Sequence, residues 1–235
     1  MAAKPRECRA RVAAVRNLTP QILEADLAME EPPALAFEAG QWVSIPFGPK
    51  IVRAYSIAST PLSPKLITLC VDVAPGGIGS AWFRGLKPGE AVSFKGALGG
   101  FVFSRADSRR PLFVAEEIGI VPIRSILTEL YATGFGRPAH LVYWARDPGW
   151  LAYDAEFRSL ARRFPAFAYD PVVGRAPTGR SDAVGAAAET VRALTTEVAG
   201  LVAYVAGGGE TINQVRSVLV AKGMDRKAVK WEKFW

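Results

Sequence analysis

Arg53, Tyr55 and Ser56 lie within RAYSIAS, a run whose composition reads as a β-strand. A guanidinium is suited to gripping phosphate oxygens in pairs. A tyrosine offers a face on which a flat ring can stack, and a serine adds a small hydroxyl. In an extended strand Arg53 and Tyr55 point to one side and Ser56 to the other, unless the strand bends. Taken alone, these residues also suit an ordinary barrel strand with a buried tyrosine. A second constellation is GGIGSAWF, residues 76–83. Its glycines precede a helical run, so free N–H groups and the helix dipole could hold a pyrophosphate there. A Gly-rich turn with Ser80 as N-cap is the plainer reading, and the two are compatible.

A third segment, FVAEEIGIVP at residues 113–122, passes from an apolar strand through a turn into a helix expected to start at Pro122. That layout usually leaves helix N–H groups open to an anion. Here the turn carries Glu116 and Glu117 instead.

These residues need scaffolding, and the chain supplies two kinds. Up to about residue 105, short runs with alternation or β-branched content are separated by Pro, Gly and Ser clusters: CRARVAAVRNL, ILEADLAM, QWVSIPF, RAYSIAS, LITLCVDV and AVSFKG. Regular short strands of this kind predict a closed barrel. One helix, at residues 79–86, interrupts it. From PLFVA onward, apolar strands alternate with helical runs: AHLVYWA, a helix over 153–163, FAYDPVV, AAAETVRALTTEV, LVAYVAG and ETINQVRSVLVAKG, with WEKFW last. Strands that are apolar throughout, separated by helices, predict a parallel sheet covered on both faces. The expected fold is therefore β plus α/β. A six-stranded antiparallel barrel over residues 1–106 precedes a doubly wound parallel α/β domain over 107–235, with ligands at the C-terminal ends of its strands.

Composition narrows the function. Half of the 235 residues are apolar and the formal charge is +7. The charge would attract an anionic partner or cofactor, but the basic residues come singly or in pairs and no nucleic-acid-binding signature is present. No apolar stretch reaches the ~18–20 residues of a membrane helix, and MAAKPRECRARVAAVRN has no apolar secretory core; a soluble cytoplasmic protein is expected. Cys8 and Cys70 are too few for a cysteine-ligated iron–sulfur cluster and read as buried thiols. The one histidine, His140, has no neighbouring ligand cluster, so no metal site is expected.

Together the first two constellations resemble the ferredoxin–NADP reductase superfamily, over nearly the whole chain. The family's Arg-x-Tyr-Ser is matched by Arg53, Ala54, Tyr55 and Ser56, and its Gly-x-x-Ser by Gly77, Ile78, Gly79 and Ser80. GALGGFVF, residues 96–103, looks like the segment that closes the barrel. By resemblance the first domain binds FAD. Arg53 would hold flavin phosphate, Tyr55 would stack on the isoalloxazine, Ser56 would bond near flavin N5, and the 77–80 loop would take the pyrophosphate; that loop favours FAD over FMN. Val71 and Val73 are included in the same cofactor site. Glu232 and Phe234 match a C-terminal Glu-x-Phe; Phe234 or Trp235 could stack on the flavin, and Glu232 could relay a proton. Packing of the terminal aromatics into a domain interface is the alternative.

The nicotinamide half resembles the family in outline only. Gly-Gly-Thr-Gly-Ile-x-Pro is here Glu116-Glu117-Ile118-Gly119-Ile120-Val121-Pro122, Tyr-Gly-x-Arg is Tyr143-Trp144-Ala145-Arg146, and Cys-Gly-Pro-Pro gives way to Ala206-Gly207-Gly208-Gly209. Gly119, Pro122, Arg146, Arg175 and Gly207 would contact NADPH or NADH, with Arg175 and Arg180 placed for a 2′-phosphate. A carboxylate ~5 Å from a phosphate charge costs about 3 kcal/mol at an effective dielectric near 20, against about 0.3–1 kcal/mol gained from the helix dipole. The two glutamates are thus expected to occupy or repel the dinucleotide site; the alternative is that both turn into solvent. The resemblance implies an FAD-dependent oxidoreductase that passes electrons between NAD(P)H and an acidic ferredoxin- or flavodoxin-type carrier or an oxygenase component, acting as a monomer or weak dimer. Two other readings are an FAD electron-transfer subunit that does not use NAD(P)H and a non-catalytic flavin-binding scaffold or sensor.

Overall fold

The computed structural model describes the backbone at residues 5–174 and 180–235 and the side chains at 5–174 and 185–235. Six antiparallel strands come first: β1 (Arg6–Thr19), β2 (Ile22–Glu31), β3 (Trp42–Pro46), β4 (Val52–Ser56), β5 (Leu66–Asp72) and β6 (Ala91–Leu98). They form one sheet in the order β4-β3-β6-β1-β2-β5. Its two edges meet where Ile57 bridges Leu69, the Ala58 N–H donates to the Thr68 carbonyl at 2.8 Å and the Thr68 N–H donates to Ser59 Oγ at 3.0 Å. Alternation along the strands sends Ala10, Val12, Leu27, Val43, Ile45, Ile67, Leu69 and Phe94 into a common core. The interrupting helix, α1, is Ile78–Gly85.

Five parallel strands follow: β7 (Arg110–Glu116), β8 (Ala139–Ala145), β9 (Phe167–Val173), β10 (Leu201–Gly207) and β11 (Val229–Lys233), in the order β11-β10-β7-β8-β9. Helices α2 (Ile120–Ala132), α3 (Asp154–Arg163), α4 (Arg180–Leu194) and α5 (Gly209–Ala221) alternate with them. Pro111 to Ala115 of β7 are all buried, as an unbroken apolar run requires of a strand covered on both faces. From β7 the chain winds outward to β9, then returns to β10 on the other side. The direction of winding therefore reverses between β7 and β10, and the crevice at their C-terminal ends is where such sheets take ligands.

The chain divides into two compact units, residues 1–103 with 124–135 and residues 104–123 with 136–235. Residues 124–135 join the barrel through hydrogen bonds as well as packing. Arg124 donates to the Ala58 carbonyl at 2.9 Å, and the buried Ser125 hydroxyl donates to the Ser59 carbonyl at 2.6 Å. Helix α2 begins two residues before Pro122, after a 3-10 turn at Glu117–Gly119; proline is at home so early in a helix, where its missing N–H costs nothing. Cys8 and Cys70 are buried, and burial raises the pKa of the Cys8 thiol. His140 Nε2 lies 2.6 Å from Asp170 Oδ2 on the neighbouring strand. Among the described residues no helix is long and apolar enough to cross a membrane.

Candidate functional site

In the first unit, β4 delivers Arg53 and Ala54 to the surface and Tyr55 and Ser56 to the interior. Strict alternation would have put Arg53 and Tyr55 in one environment. Instead Tyr55 enters the barrel core, edge-on to Phe83 at 5.1 Å, while Arg53 stays in solvent and donates to the Val52 carbonyl at 2.9 Å. Burial raises the Tyr55 phenol pKa, with the Arg53 charge opposing, so the ring stays neutral.

The Tyr55 hydroxyl lies where a Cβ on Gly79 would sit. Only glycine lets the two motifs approach so closely, and the aromatic strand and the Gly-rich loop thereby become one site. Residues 74–78 are exposed. A Cβ on Gly76 or Gly77 would meet nothing within 4 Å, and Gly77, the N-cap of α1, carries no side-chain cap. This bare helix entrance leaves its backbone donors accessible to an anion. The expectation that Ser80 caps the helix is corrected: Ser80 is its third residue, buried, with its hydroxyl donating to the Asp72 carbonyl at 3.4 Å. Packing against the strand end claims the side chain before the helix terminus can. Val73 is 3% exposed and belongs to the barrel core, and Val71 packs against that core. Sequence reading missed Arg84, which donates to the Val73 carbonyl at 2.8 Å and ties the loop's start to the last turn of α1. It also missed Arg124 and Ser125, which hold the chain just beyond Ser56. Polar side chains early in a helix carried no distinguishing signal.

In the second unit, Glu116 ends β7 and Glu117 opens the 3-10 turn; they are 6% and 3% exposed. The alternative that they turn into solvent is overturned. Glu116 Oε2 accepts the Gly208 N–H at 2.7 Å, directly across the crevice between β7 and β10. Burial raises its pKa, partly offset by that hydrogen bond and by the nearby Thr211 hydroxyl. Glu117 accepts both arms of Arg146, from Nε at 2.6 Å and Nη2 at 2.8 Å. It does so with φ at +46°, a left-handed conformation that costs a non-glycine residue about 1–2 kcal/mol. Arg146 also stacks over Trp150 at 4.4 Å. Its guanidinium is thus committed to a neighbour.

Gly119 has a packing task. A Cβ there would collide with the Ala206 carbonyl and lie 2.9 Å from Gly207 N, so this glycine admits the main chain of β10, while Pro122 is buried behind it. Gly207 and Gly208 leave room for the Glu116 carboxylate, which a Cβ on either would approach within 2.8 Å and 3.0 Å respectively. The Gly209 N–H donates to the Trp235 main-chain oxygen at 3.1 Å, and the Trp235 ring covers Gly208. Phe234 donates its N–H to the Gly207 carbonyl at 3.0 Å, and Glu232 pairs with Ala206 in the β10–β11 register. Arg175 lies outside the described residues, as does the Arg180 side chain. The open cleft here is about 1580 Å³, lined by Glu116, Trp144, Arg146, Gly208, Lys233 and Trp235 and running along α4 and α5.

Known proteins are similar to this chain in sequence and fold. Residues 9–103 match the family model described as oxidoreductase FAD-binding domain. The chain is 31% identical over 96% of both lengths to ferredoxin–NADP reductase B of Sorangium cellulosum (strain So ce56). It is 27% identical over 90% of its length to the ferredoxin–NAD(P)(+) reductase component of naphthalene 1,2-dioxygenase/salicylate 5-hydroxylase systems of a Ralstonia species, spanning 63% of that protein. The crystal structure of the Amycolatopsis cytochrome P450 reductase GcoB superposes with a TM-score of 0.84 at 25% identity, over 98% of this chain and 70% of that one. A ferredoxin NADP+ reductase from Neisseria gonorrhoeae, with bound FAD and NADP, shares the fold at a TM-score of 0.78 and 21% identity, over 99% and 100% of the two chains. The chain belongs to the ferredoxin–NADP reductase family of FAD-dependent oxidoreductases.

Proposed function

We propose that the protein carries electrons between NADH or NADPH and a separate acceptor by way of FAD. The observation that supports this most directly is the seating of the Tyr55 hydroxyl against Gly79. It joins a stacking face, an exposed arginine and a bare helix entrance in one cradle. When bound there, FAD supplies reversible hydride acceptance at its N5 atom. Arg53 and the 77–80 backbone would hold its phosphates, with Val71 and Val73 in the same site. Tyr55 supports the ring. The Ser56 hydroxyl, held in the interior, is the hydrogen-bonding group for the reacting edge. On the dinucleotide side Gly119, Pro122 and Gly207 shape the crevice. As the family's C-terminal Glu-x-Phe implies, Glu232 would relay a proton and Phe234 or Trp235 would offer a stacking face to the flavin.

The acceptor is an acidic ferredoxin-type carrier or an oxygenase component, as the names of the relatives suggest, and the +7 charge steers such a partner. Purified protein should be yellow and should bleach anaerobically with NADH or NADPH. A second reading, favoured by the engagement of Glu116 with Gly208, keeps FAD and drops the nicotinamide. Bleaching by dithionite or a reduced carrier protein, but by neither dinucleotide, would select it. A colourless protein without affinity for FAD would refute both.

A further inference from the structure

A doubly wound sheet takes its ligands between the strands where the winding reverses, and the helix that follows presents bare N–H groups there. In this chain that place is held by a carboxylate. Glu116 Oε2 takes the Gly208 N–H at 2.7 Å, and the main-chain oxygen of Trp235 takes that of Gly209 at 3.1 Å. One buried donor lining the same cleft, Trp144 Nε1, has no hydrogen-bond partner among the described residues, while the Thr211 hydroxyl lies beside the Glu116 carboxylate. An internal anion thus holds the helix terminus while a neighbouring donor is left over for something else. A phosphate oxygen would satisfy such a donor, but it meets the Glu116 charge first.

We propose that Glu116 is a resident competitor for the phosphates of the nicotinamide dinucleotide, and that the dinucleotide binds with uptake of one proton onto Glu116. This rests on the first reading of the function. The proton comes from solvent, and only the carboxyl O–H bond is formed. The charged groups around Glu116 are mixed. Glu117 follows it on the 3-10 turn and Arg146 follows β8; Glu210 on α5 and Lys233 on β11 line the cleft, with Glu189 and Arg192 of α4 farther along it. The strand β10 and the first turn of α2 contribute no charge. Glu117 is already engaged by Arg146, so Glu116 is the less compensated carboxylate of the pair. Burial makes it hold a proton more readily than a solvated glutamate does.

The test is calorimetric titration of the FAD-loaded, oxidised protein with NAD+ and NADH, whose pyrophosphate does not titrate near neutrality. Titrations in two buffers of different ionisation enthalpy give the proton count. Wild type should take up close to one proton per dinucleotide at alkaline pH, and affinity should fall about tenfold per pH unit there. Glu116→Gln keeps the shape and an acceptor for Gly208 and removes the charge. It should bind on the order of a hundredfold tighter at pH 8, with no proton uptake; measurable binding by this variant alone would also support the proposal. Absence of uptake in wild type overturns it, and this arm stands even if the variant fails to retain FAD. Uptake that persists in a folded Glu116→Gln, or equal affinity of the two proteins, also overturns it. Flavin bleaching by NADH without proton uptake would sink this inference and leave the proposed function standing. Failure of both proteins to bind or be bleached would sink both.

Discussion

Removing Arg146 should harm the second unit, and removing Glu117 as well should repair part of the harm. The Glu117 carboxylate is 3% exposed and receives both arms of Arg146, whose side chain is 51% exposed. Breaking a fully buried ion pair costs about 3–5 kcal/mol, because a charge is left without a partner. Here water can follow the departing arginine, which reduces the cost to about 2 kcal/mol. The lost stack of Arg146 on Trp150 at 4.4 Å adds about 0.5–1 kcal/mol. Arg146→Ala should therefore destabilise by roughly 2–3 kcal/mol in urea denaturation followed by far-UV circular dichroism. Glu117 also holds φ at +46°, so glycine in its place recovers about 1 kcal/mol of backbone strain. The double variant Glu117→Gly with Arg146→Ala contains neither a stranded carboxylate nor a strained backbone, and should be more stable than Arg146→Ala by about 1–2 kcal/mol. A double variant no more stable than Arg146→Ala would show that an unpaired buried charge is not what the single change creates.

Three further outcomes follow from geometry. Gly79→Ala places a methyl group on the Tyr55 hydroxyl and should weaken FAD binding at least tenfold in a fluorescence-quenching titration; adding Tyr55→Phe, which removes that oxygen, should restore part of it, and no rescue would refute the contact. Ser125→Ala removes the 2.6 Å hydrogen bond to the Ser59 carbonyl and should cost about 1–2 kcal/mol of stability, together with a severalfold loss of FAD affinity; unchanged values would show that this bond does not hold the strand end. Asp107 is held at a pKa of about 2, chiefly by its hydrogen bond from Arg109, below its unfolded value, so its stabilisation is present above about pH 4 and lost as pH falls toward 2. With Arg109 39% exposed, screening limits this to about 1 kcal/mol. Asp107→Asn should accordingly flatten the acid limb of stability, and an unaltered limb would count against the pairing.

Much of the architecture was readable before any coordinates, because it follows from periodicity. Short alternating runs such as β1 and β6 mark the first unit, and the long apolar runs within β7, β8 and β10 mark the second, so two sheet types were separable. The Arg53–Ser56 and Gly77–Ser80 motifs were readable because their residue types are demanding. What sequence could not give was the destination of individual polar groups. Ser80 had two offers, a helix terminus and a strand-end carbonyl, and packing decided between them. Glu116 meets Gly208 across 92 residues of chain, Glu117 meets Arg146 across 29, and Ser125 meets Ser59 across 66. No local pattern encodes such pairings. The two glutamates could be recognised as unusual, but whether they faced water or each took a partner depended on which strands became neighbours.

The membership of helix α2 bears on how this protein could be cut and recombined. Its first four residues pack with the second unit and the remainder with the first, so neither unit is a continuous stretch of polypeptide. A gene fragment ending at Phe103 would encode every barrel strand yet omit the arginine and serine that clasp the carbonyls of Ala58 and Ser59. A chimera that exchanges the second unit must graft around this helix, carrying residues 124–135 with the first unit, or it will trade away part of the scaffold it means to keep.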